Sequence, residues 1–440
     1  MKIKPLYLSV FFIALSGVLS GFDTGVISGV LLYIDFEWTL NEFIKGTLVS
    51  SVLSGAAIGA LLNGKLVDIF GRQKMIFFTS LIFLAGSIFC SISPIPLILI
   101  LSRFIIGFAI GIITFCAPLY LSEISPPKIR GALVSLFQLA ITFGILISYL
   151  SNAVFAKLYP NWRLMLFTGV IPAIILAIGV YFLPDTPRWY VLKGKIDKAK
   201  ETINKFMPDI NSDIEIEKIK SVSYKKDKKI KFEKKLLFPL IIGVGGMFIQ
   251  QFTGINTIIY YAPVILKSAG FSDNLGAICA TGGIGIVNFL MTFVAIFYSD
   301  KIGRKPLLYI GLSGMGFCLF MLSLSFNLAF NAKYFAFVSS IFYIMFFAIS
   351  LGPVMILLVS EIFPLKTRGV MMSICMGCNF IFNFIISLLF LPALKVFGEF
   401  NIFMFFSVIS FLSIIFVRFV IPETKGETLE NIERNQLKNV

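Results

Sequence analysis

Histidine is missing from the 440 residues of the chain, and charged residues make up only 14% of them. Without histidine the chain lacks the commonest metal ligand and the usual proton shuttle near neutral pH, so any proton transfer depends on carboxylates. A nucleophile constellation and a nucleotide-binding loop are also missing from the sequence. We therefore expect no metal site, no cofactor and no enzymatic activity.

Acidic residues are scarce, 23 against 38 Lys and Arg, so the formal net charge is +15. A basic chain can indicate a nucleic-acid partner, but here the basic residues occupy short loops between apolar runs. That distribution is the positive-inside pattern of membrane proteins and argues against nucleic-acid binding. The six cysteines lie within or beside apolar runs. They are interpreted as small packing residues and not as a disulfide framework.

Hydrophobic residues are abundant, 58% of the chain with 49 Phe, against roughly 45–50% apolar residues in a soluble domain. They form runs of about 20 residues, the length needed to cross a bilayer core. The sequence therefore predicts an all-α membrane protein with twelve transmembrane helices. The predicted crossings lie near 6–33, 44–64, 75–93, 96–121, 130–154, 164–183, 237–266, 274–298, 306–327, 334–358, 370–392 and 400–421.

Three motifs occur twice, at nearly one offset along the chain. They are D-x-x-G-R at 68–72 and 300–304, Glu-x6-Arg-Gly at 123–131 and 361–369, and a proline-led ending at 184–188 and 422–426. The pairs predict a parallel tandem duplication of a six-span unit. Because each unit has an even number of spans, all six motifs fall on one face. That face carries most Lys and Arg, so we predict that it is cytoplasmic, together with both termini.

The repeat divides the chain into four parts. We predict an amino-terminal six-helix bundle at 1–184, a cytoplasmic helical linker at 185–235, a carboxy-terminal six-helix bundle at 236–422 and a cytoplasmic tail at 423–440. The linker is rich in Lys and contains amphipathic fragments such as 189–199, which predict a pair of short helices against the membrane surface. Its second half, around 225–231, is equally compatible with a solvated linker.

Polar residues interrupt the apolar run at 236–266, where Gln250 and Gln251 are followed by Gly254 and Asn256. Unmatched polar groups in hydrocarbon lose several kcal/mol each, so these side chains are expected to face a polar cavity. An amide carries donors and acceptors at once, which suits a neutral, hydroxyl-rich ligand better than an ion. The alternative is that the amides join neighbouring helices by hydrogen bonds.

Asp23 lies in the middle of the first predicted crossing. A carboxylate at that depth costs about 2.5–3.5 kcal/mol on insertion scales, and such residues usually face an internal cavity and take part in ion transfer. In a chain without histidine, Asp23 is therefore the first candidate for proton coupling.

The loop motifs, together with PDTPR at 184–188, QQFTGIN at 250–256 and PETKG at 422–426, resemble the sugar porter family of the major facilitator superfamily. The resemblance covers nearly the whole chain, and the combination of motifs is highly specific. It implies two helical bundles around a central sugar cavity that opens alternately to the two sides of the membrane. It also implies a monomer. Short loops and tails favour a cell inner (plasma) membrane.

The resemblance assigns roles to individual residues. The implied substrate-binding residues are Gln138, Gln250, Gln251, Asn256, Asn288, Asn379, Phe380 and Asn383. Tyr260 and Tyr261 resemble the outer gate of the family, with ordinary interfacial aromatics as the alternative. Ile356 and Phe380 stand where many relatives carry Trp, and Phe137 where some carry a more polar residue. A more apolar wall is therefore expected, and the choice between a hexose and a pentose stays open.

The resemblance also places Asp23 close to Arg130. Ion pairing favours the ionised carboxylate, and separation of the pair in a poorly hydrated site favours the protonated form. Alternation between the two states would couple sugar transport to proton transfer, with the stoichiometry left open. The predicted function is monosaccharide import by proton symport. The alternatives are a uniporter in which the ion pair is permanent and a sugar sensor that does not transport.

Charged residues of the loop motifs are predicted to form ion pairs across the cytoplasmic ends of the helices. Such pairs would act as a latch that favours the outward-facing state. The predicted latch residues are Asp68, Arg72, Glu123, Asp300, Arg304, Glu361 and Arg368. The alternative is a set of structural ion pairs that never open.

Overall fold

The computed structural model describes residues 4–223, 236–327, 332–364, 367–423 and 425, and every regular element within those ranges is a helix. The amino-terminal half contains α1 (Lys4–Tyr33), α2 (Glu42–Phe70), α3 (Arg72–Ser91), α4 (Pro96–Ile124), α5 (Arg130–Leu158), α6 (Trp162–Phe167) and α7 (Val170–Tyr181). The carboxy-terminal half contains α11 (Leu237–Phe252), α12 (Ile255–Ser268), α13 (Asn274–Ile302), α14 (Arg304–Ser325), α15 (Ala332–Ile349), α16 (Leu351–Ile362) and α17 (Arg368–Phe419). Between the halves lie α8 (Pro187–Leu192), α9 (Ile196–Phe206) and α10 (Ser212–Ser223).

The helices of the amino-terminal half form six apolar segments of 20 to 32 residues, with α6 and α7 joined into one. At about 1.5 Å per residue, the shortest of them reaches about 30 Å, the thickness of a bilayer core. Each segment can therefore cross a membrane once, as the hydrophobic runs predicted.

The helices of the carboxy-terminal half form five further apolar segments within the described ranges, and the last, Gly369–Phe419, is 51 residues long. A straight helix of that length extends about 75 Å, more than twice the bilayer core. Gly398 breaks it, since its φ of 77° lies in the left-handed region that glycine adopts most easily. If this segment is counted as two crossings, the eleven apolar segments in the described ranges correspond to twelve crossings, the number predicted from the sequence.

Glycines bring α1 and α5 into close contact. Gly17, Gly21, Gly25 and Gly29 recur every fourth residue and so lie on one face of α1. A Cβ atom at Gly21 would overlap the carbonyl oxygen of Ile141 in α5. Small residues at such spacing let two membrane helices approach backbone to backbone. This packing fixes the position of Asp23, which lies on the same helix.

Replacing Gly21 by Ala is expected to lower the melting temperature and the folded yield of the detergent-solubilised protein. The added methyl group meets backbone atoms that cannot rotate away, and overpacking of this kind costs typically about 1–3 kcal/mol. The matched control is Gly64→Ala in α2, where a Cβ atom would meet no atom within 4 Å. Equal thermal melting of the two variants would contradict the close packing of α1 on α5.

Within the described ranges, the two halves meet mainly along three pairs of helices. α1 packs against α12, α5 against α13, and α2 against the first part of α17. The predicted linker holds three short helices where the sequence predicted a pair, and α8 contacts α4 while α9 contacts α1. In α9, residues Ala199, Thr202, Ile203 and Phe206 are buried on one face, which explains its amphipathic pattern.

The predicted domain limits stay a prediction, although α7 ends shortly before 184 and α11 begins shortly after 236. The linker residues 224–235 and most of the tail at 423–440 lie outside the described residues. The six loop motifs follow α2, α4, α7, α13, α16 and α17, so successive crossings place them at one end of the molecule. We call it the motif end, and the other the opposite end.

Candidate functional site

A cavity of about 240 Å³ lies between the two halves. The volume is many times the roughly 10–15 Å³ that accommodates one water molecule. Every residue predicted to bind substrate lines it: Gln138, Gln250, Gln251, Asn256, Asn288, Asn379, Phe380 and Asn383. These residues lie on α5, α11, α12, α13 and α17, so the sequence identified residues on five of the helices that form the cavity wall.

Four of the amides form one hydrogen-bonded network across α11, α12 and α17. The Asn379 side chain donates to Gln250 Oε1 at 2.7 Å and accepts from Gln251 Nε2 at 3.1 Å. Asn256 Nδ2 donates to Gln251 Oε1 at 2.6 Å. The network holds these side chains in fixed orientations, and unused donors and acceptors remain on several of them. Both sequence interpretations therefore apply, since the amides join helices and also line a cavity.

A break in the helix makes this arrangement possible. α11 ends at Phe252 and α12 begins at Ile255, and Gly254 between them has a φ of 85°. A second break separates α15 from α16, and the carbonyl of Leu351, the first residue of α16, accepts from Gln250 Nε2 at 3.0 Å. Broken helices in membranes are tolerated where the freed backbone groups are satisfied or line a cavity.

The side chains of Gln138 and Asn288 form no hydrogen bond with any residue that the structure describes. Both line the cavity, Gln138 from the amino-terminal half and Asn288 from the carboxy-terminal half. Hydroxyl groups of Thr24, Thr114 and Thr142 extend the polar wall of the amino-terminal half. The cavity therefore offers unused amide donors and acceptors from both halves to a polar ligand.

Asp23 is buried at the edge of the cavity, and its partner is Arg103 of α4. Arg103 Nη1 and Nη2 approach the two carboxylate oxygens at 3.5 and 3.4 Å, and Arg103 Nε donates to the carbonyl of Leu48 at 3.0 Å. Both side chains line the cavity, so an ion pair and the amide network share one space. A buried charge is tolerated where it is paired and hydrogen-bonded.

The prediction that Asp23 pairs with Arg130 was wrong. Arg130 is the first residue of α5 at the motif end and is exposed, and the carbonyl of Ser125 is its side chain's only hydrogen-bond partner among the described residues. Asp23 lies deep within α1, far along the helix from that end. Arg103 was missed although it carries the signal that singled out Asp23, a charge in the middle of an apolar run.

The two tyrosines predicted as an outer gate occupy different places. Tyr260 lines the cavity, and its hydroxyl accepts a hydrogen bond from Asn383 Nδ2 at 3.2 Å. Tyr261 is fully buried, donates to the carbonyl of Ser387 at 2.7 Å and stacks on Phe390. Only Tyr260 can therefore meet a ligand in this conformation.

Residues that sequence reasoning missed close the opposite end of the cavity. The Tyr149 hydroxyl in α5 donates to the carbonyl of Ile259 in α12 at 2.8 Å. Asn274 Nδ2, at the start of α13, donates to the carbonyl of Leu32 in α1 at 3.3 Å. Both bonds join one half to the other. A lone Tyr in a crossing carries no distinctive pattern, so the sequence held no signal for this role.

At the motif end, the predicted ion pairs form within each half. Arg72 Nε lies 3.2 Å from Glu123 Oε2, and Arg72 Nη1 lies 3.6 Å from Asp68 Oδ1. In the other half, Arg304 Nη2 lies 2.8 Å from Glu361 Oε1. The side chains of Asp300 and Arg368 lie outside the described residues.

Two carboxylates from the proline-led motifs cap the neighbouring helices. Asp185 Oδ1 accepts from the backbone N–H of Arg72 at 3.1 Å and of Thr186 at 2.7 Å. Burial raises the pKa of the Asp185 carboxyl to about 6, against the lowering effect of these N–H groups and the Arg72 charge. Glu423 accepts from the backbone N–H of Arg304 at 3.1 Å and of Lys305 at 3.0 Å. The repeated motifs thus build the same cap twice.

Three residues differ from the types common in the family, and not all of them lie in the cavity wall. Ile356 and Phe380 line the cavity. Phe137 is buried and does not line it. Only the first two therefore change the surface offered to a ligand, and they make the wall of the carboxy-terminal half more apolar.

Comparison with known proteins agrees with this geometry. A family model described as sugar (and other) transporter matches residues 9–435. The putative metabolite transport protein YwtG of Bacillus subtilis is 42% identical over 431 residues, which cover 97% of this chain and 94% of that protein. The galactose-proton symporter of Escherichia coli is 39% identical over 438 residues, covering 97% and 94%.

A solved structure has the same fold. The partially occluded inward open conformation of the xylose transporter XylE from E. coli matches with a TM-score of 0.86 at 28% identity, covering 96% of this chain and 99% of that one. The family consists of membrane transporters, and the helices described above are those of a multi-pass membrane protein. The chain belongs to the sugar porter family of the major facilitator superfamily.

Proposed function

We propose that this protein imports a monosaccharide, a hexose or a pentose, by proton symport through alternating access. The observation that carries the proposal is the shared cavity, in which amides from both halves and the Asp23–Arg103 ion pair face one space. A sugar hydroxyl both donates and accepts hydrogen bonds, as an amide does. The names of relatives support it, since they include a galactose-proton symporter and a D-xylose transporter.

The sugar is held by amides of both halves. Gln138 binds it from the amino-terminal half, and Asn288 together with the network around Asn379 binds it from the carboxy-terminal half. A site that hydrogen-bonds hydroxyl groups rejects analogues that lack them, because its buried polar groups would then be unpaired. Phe380 provides an apolar face for the C–H side of the ring.

The proton is carried by Asp23, with Arg103 in the role that the sequence gave to Arg130. When the pair is closed, the positive charge of Arg103 favours the ionised carboxylate. When the pair opens in a dry cavity, the carboxylate takes up a proton. Since both residues line the space where the sugar binds, sugar entry and pair opening occur together. The alternative is a proton-independent uniporter in which the pair stays closed.

The opposite end faces the outside, and the motif end faces the cytoplasm. The contacts of Tyr149 and Asn274 close the opposite end, which corresponds to an inward-facing state. The similar XylE structure is also described as inward open. The Lys and Arg residues at the motif end follow the positive-inside rule, which supports a cytoplasmic position of both termini. The protein acts as a monomer in the cell inner membrane.

The latch stays a prediction, because the ion pairs at the motif end lie within each half and are closed while the opposite end is also closed. As a latch, the same charges would favour the outward-facing state by also holding the motif ends of the two halves together. Replacing Glu361 by Gln removes the charge that faces Arg304, and the equilibrium is then expected to shift toward inward-facing molecules. The shift is measured as increased labelling of a cysteine placed at the motif end of the cavity. Glu399→Gln, a neutralised carboxylate at the opposite end, is the matched control. Unchanged labelling of the Glu361 variant would leave a purely structural role for the pair.

The function is tested by uptake of a panel of labelled monosaccharides into energised membrane vesicles, with and without a protonophore. We expect accumulation of at least one hexose or pentose that the protonophore abolishes. Uptake that stops at equal sugar concentrations on the two sides and is unchanged by the protonophore would indicate a uniporter. Sugar binding without uptake would indicate a sensor.

A further inference from the structure

A second, smaller void touches Asp23 from the side away from the central cavity. Its volume is about 10 Å³, close to the roughly 10–15 Å³ that holds a single water molecule. It lies inside the amino-terminal half, between α1, α3, α4 and the turn that joins α6 to α7. Its lining is Phe22, Asp23, Val26, Phe83, Ser87, Cys90, Ile106, Leu166 and Gly169.

The only hydroxyl in that lining belongs to Ser87 of α3. Ser87 is buried, with 3% of its surface exposed, and its hydroxyl forms no hydrogen bond with any residue in the described ranges. The neighbouring Ser80 and Ser91 of the same helix donate to backbone carbonyls, as buried serines in helices usually do. A buried polar group without a hydrogen-bond partner is uncommon, so a partner such as a bound water molecule is expected.

Gly169 keeps the void open. It has helical dihedral angles, φ −61° and ψ −19°, so its backbone does not require glycine. A Cβ atom there would lie 3.3 Å from Ser87 Oγ and 3.3 Å from a ring carbon of Phe22. An alanine would therefore occupy the space beside the hydroxyl with only small adjustments.

The carboxylate oxygens of Asp23 can accept more hydrogen bonds than they form here. Among the described residues only Arg103 donates to its carboxylate, at 3.4 and 3.5 Å, which is long for a charged pair. Other titratable groups around it are Cys90 of α3, which lines the small void, and Tyr260 of α12, which shares the central cavity. A thiol is a weak donor, and the Tyr260 hydroxyl accepts from Asn383 but forms no hydrogen bond with Asp23.

We propose that the small void binds one water molecule that links the Ser87 hydroxyl to the Asp23 carboxylate, which makes Ser87 a positioning residue for proton coupling. The water accepts from Ser87 and donates to a carboxylate oxygen. It stabilises ionised Asp23 while the Arg103 pair is open, so that Asp23 can release its proton before the pair closes again. This inference rests on the proposed proton role of Asp23.

The test is an infrared pH titration of the Asp23 carboxyl in the full-length purified protein, with the signal assigned by its loss in Asp23→Asn. In Ser87→Ala the pH midpoint of protonation is expected to rise by about one unit, since a hydrogen bond to a charged group is lost. Gly169→Ala fills the void, keeps the hydroxyl and is expected to raise the midpoint similarly. Ser80→Ala, two turns earlier in α3, is the matched control and should titrate as the unmodified protein does.

Equal midpoints in the unmodified protein, Ser87→Ala and Gly169→Ala would overturn the proposal. A shift in Ser87→Ala without one in Gly169→Ala would also overturn it, because the bond would not then pass through the void. If Ser87→Ala does not fold, Gly169→Ala decides alone. The titration needs no sugar. Failure of the proposed symport is recognised separately, as the absence of proton uptake when D-galactose or D-xylose is added to the unmodified protein.

Discussion

Replacing Asp23 by Asn is expected to abolish uphill accumulation of sugar while exchange of sugar across the membrane continues. Asn has nearly the same shape and still accepts a hydrogen bond from Arg103, but it cannot take up a proton. For one proton per sugar, a gradient of one pH unit supports about tenfold accumulation, and the variant should equilibrate at a ratio near one. Net uptake and counterflow exchange in the same proteoliposomes measure the two activities separately.

The matched control is Asp35→Asn, a neutralised carboxylate that lies in the turn after α1 and pairs with Lys45 outside the cavity. It should accumulate sugar as the unmodified protein does. Accumulation by Asp23→Asn equal to that of the control would show that the proton is carried elsewhere, and loss of exchange in Asp23→Asn would indicate a structural role for the ion pair.

Replacing Asn379 by Leu is expected to weaken sugar binding by roughly five- to one-hundredfold. The change keeps the side-chain volume but leaves Gln250 Oε1 and Gln251 Nε2 without their partner. An unsatisfied buried polar group costs about 1–3 kcal/mol, and each 1.4 kcal/mol is a factor of ten in affinity. The two glutamines then turn to other partners and no longer present their free atoms to the ligand. Equilibrium binding of the transported sugar to purified protein measures the loss.

Asn401→Leu serves as the control for that variant, since Asn401 lies on the same helix, is exposed near the break at Gly398 and donates to the carbonyl of Phe397. Its affinity should equal that of the unmodified protein. An unchanged affinity in Asn379→Leu would mean that the network joins helices and does not form the sugar site.

The architecture could be predicted from the sequence because each crossing is a run of apolar residues and each loop motif occurs twice. Where the sequence was less informative, the structure shows why. Gly398 splits α17 next to Glu399, and the sequence showed this turn only as a short gap between hydrophobic runs, because the break itself depends on the left-handed φ of the glycine. The third helix of the linker, α10, has few apolar residues and was hidden among charged ones.

The cavity residues were predictable to a similar degree. Gln250 stood out as an amide in an apolar run, whereas Asn288 and Asn379 were implied by the family resemblance, and all three line the cavity. The partner of Asp23 was not found, because proximity in a fold is not readable from the position of Arg130 in a motif. Tyr149 gave no signal at all, since its role depends on the backbone carbonyl that it meets in the other half.

The coupling of sugar import to a proton is tested most directly in liposomes that contain only the purified protein and an imposed pH gradient. With the outside acidic, the account predicts that a hexose or pentose accumulates inside above its external concentration, and that collapsing the gradient releases it. Monosaccharide flux that is the same with and without the gradient, or no monosaccharide flux at all, would contradict the account.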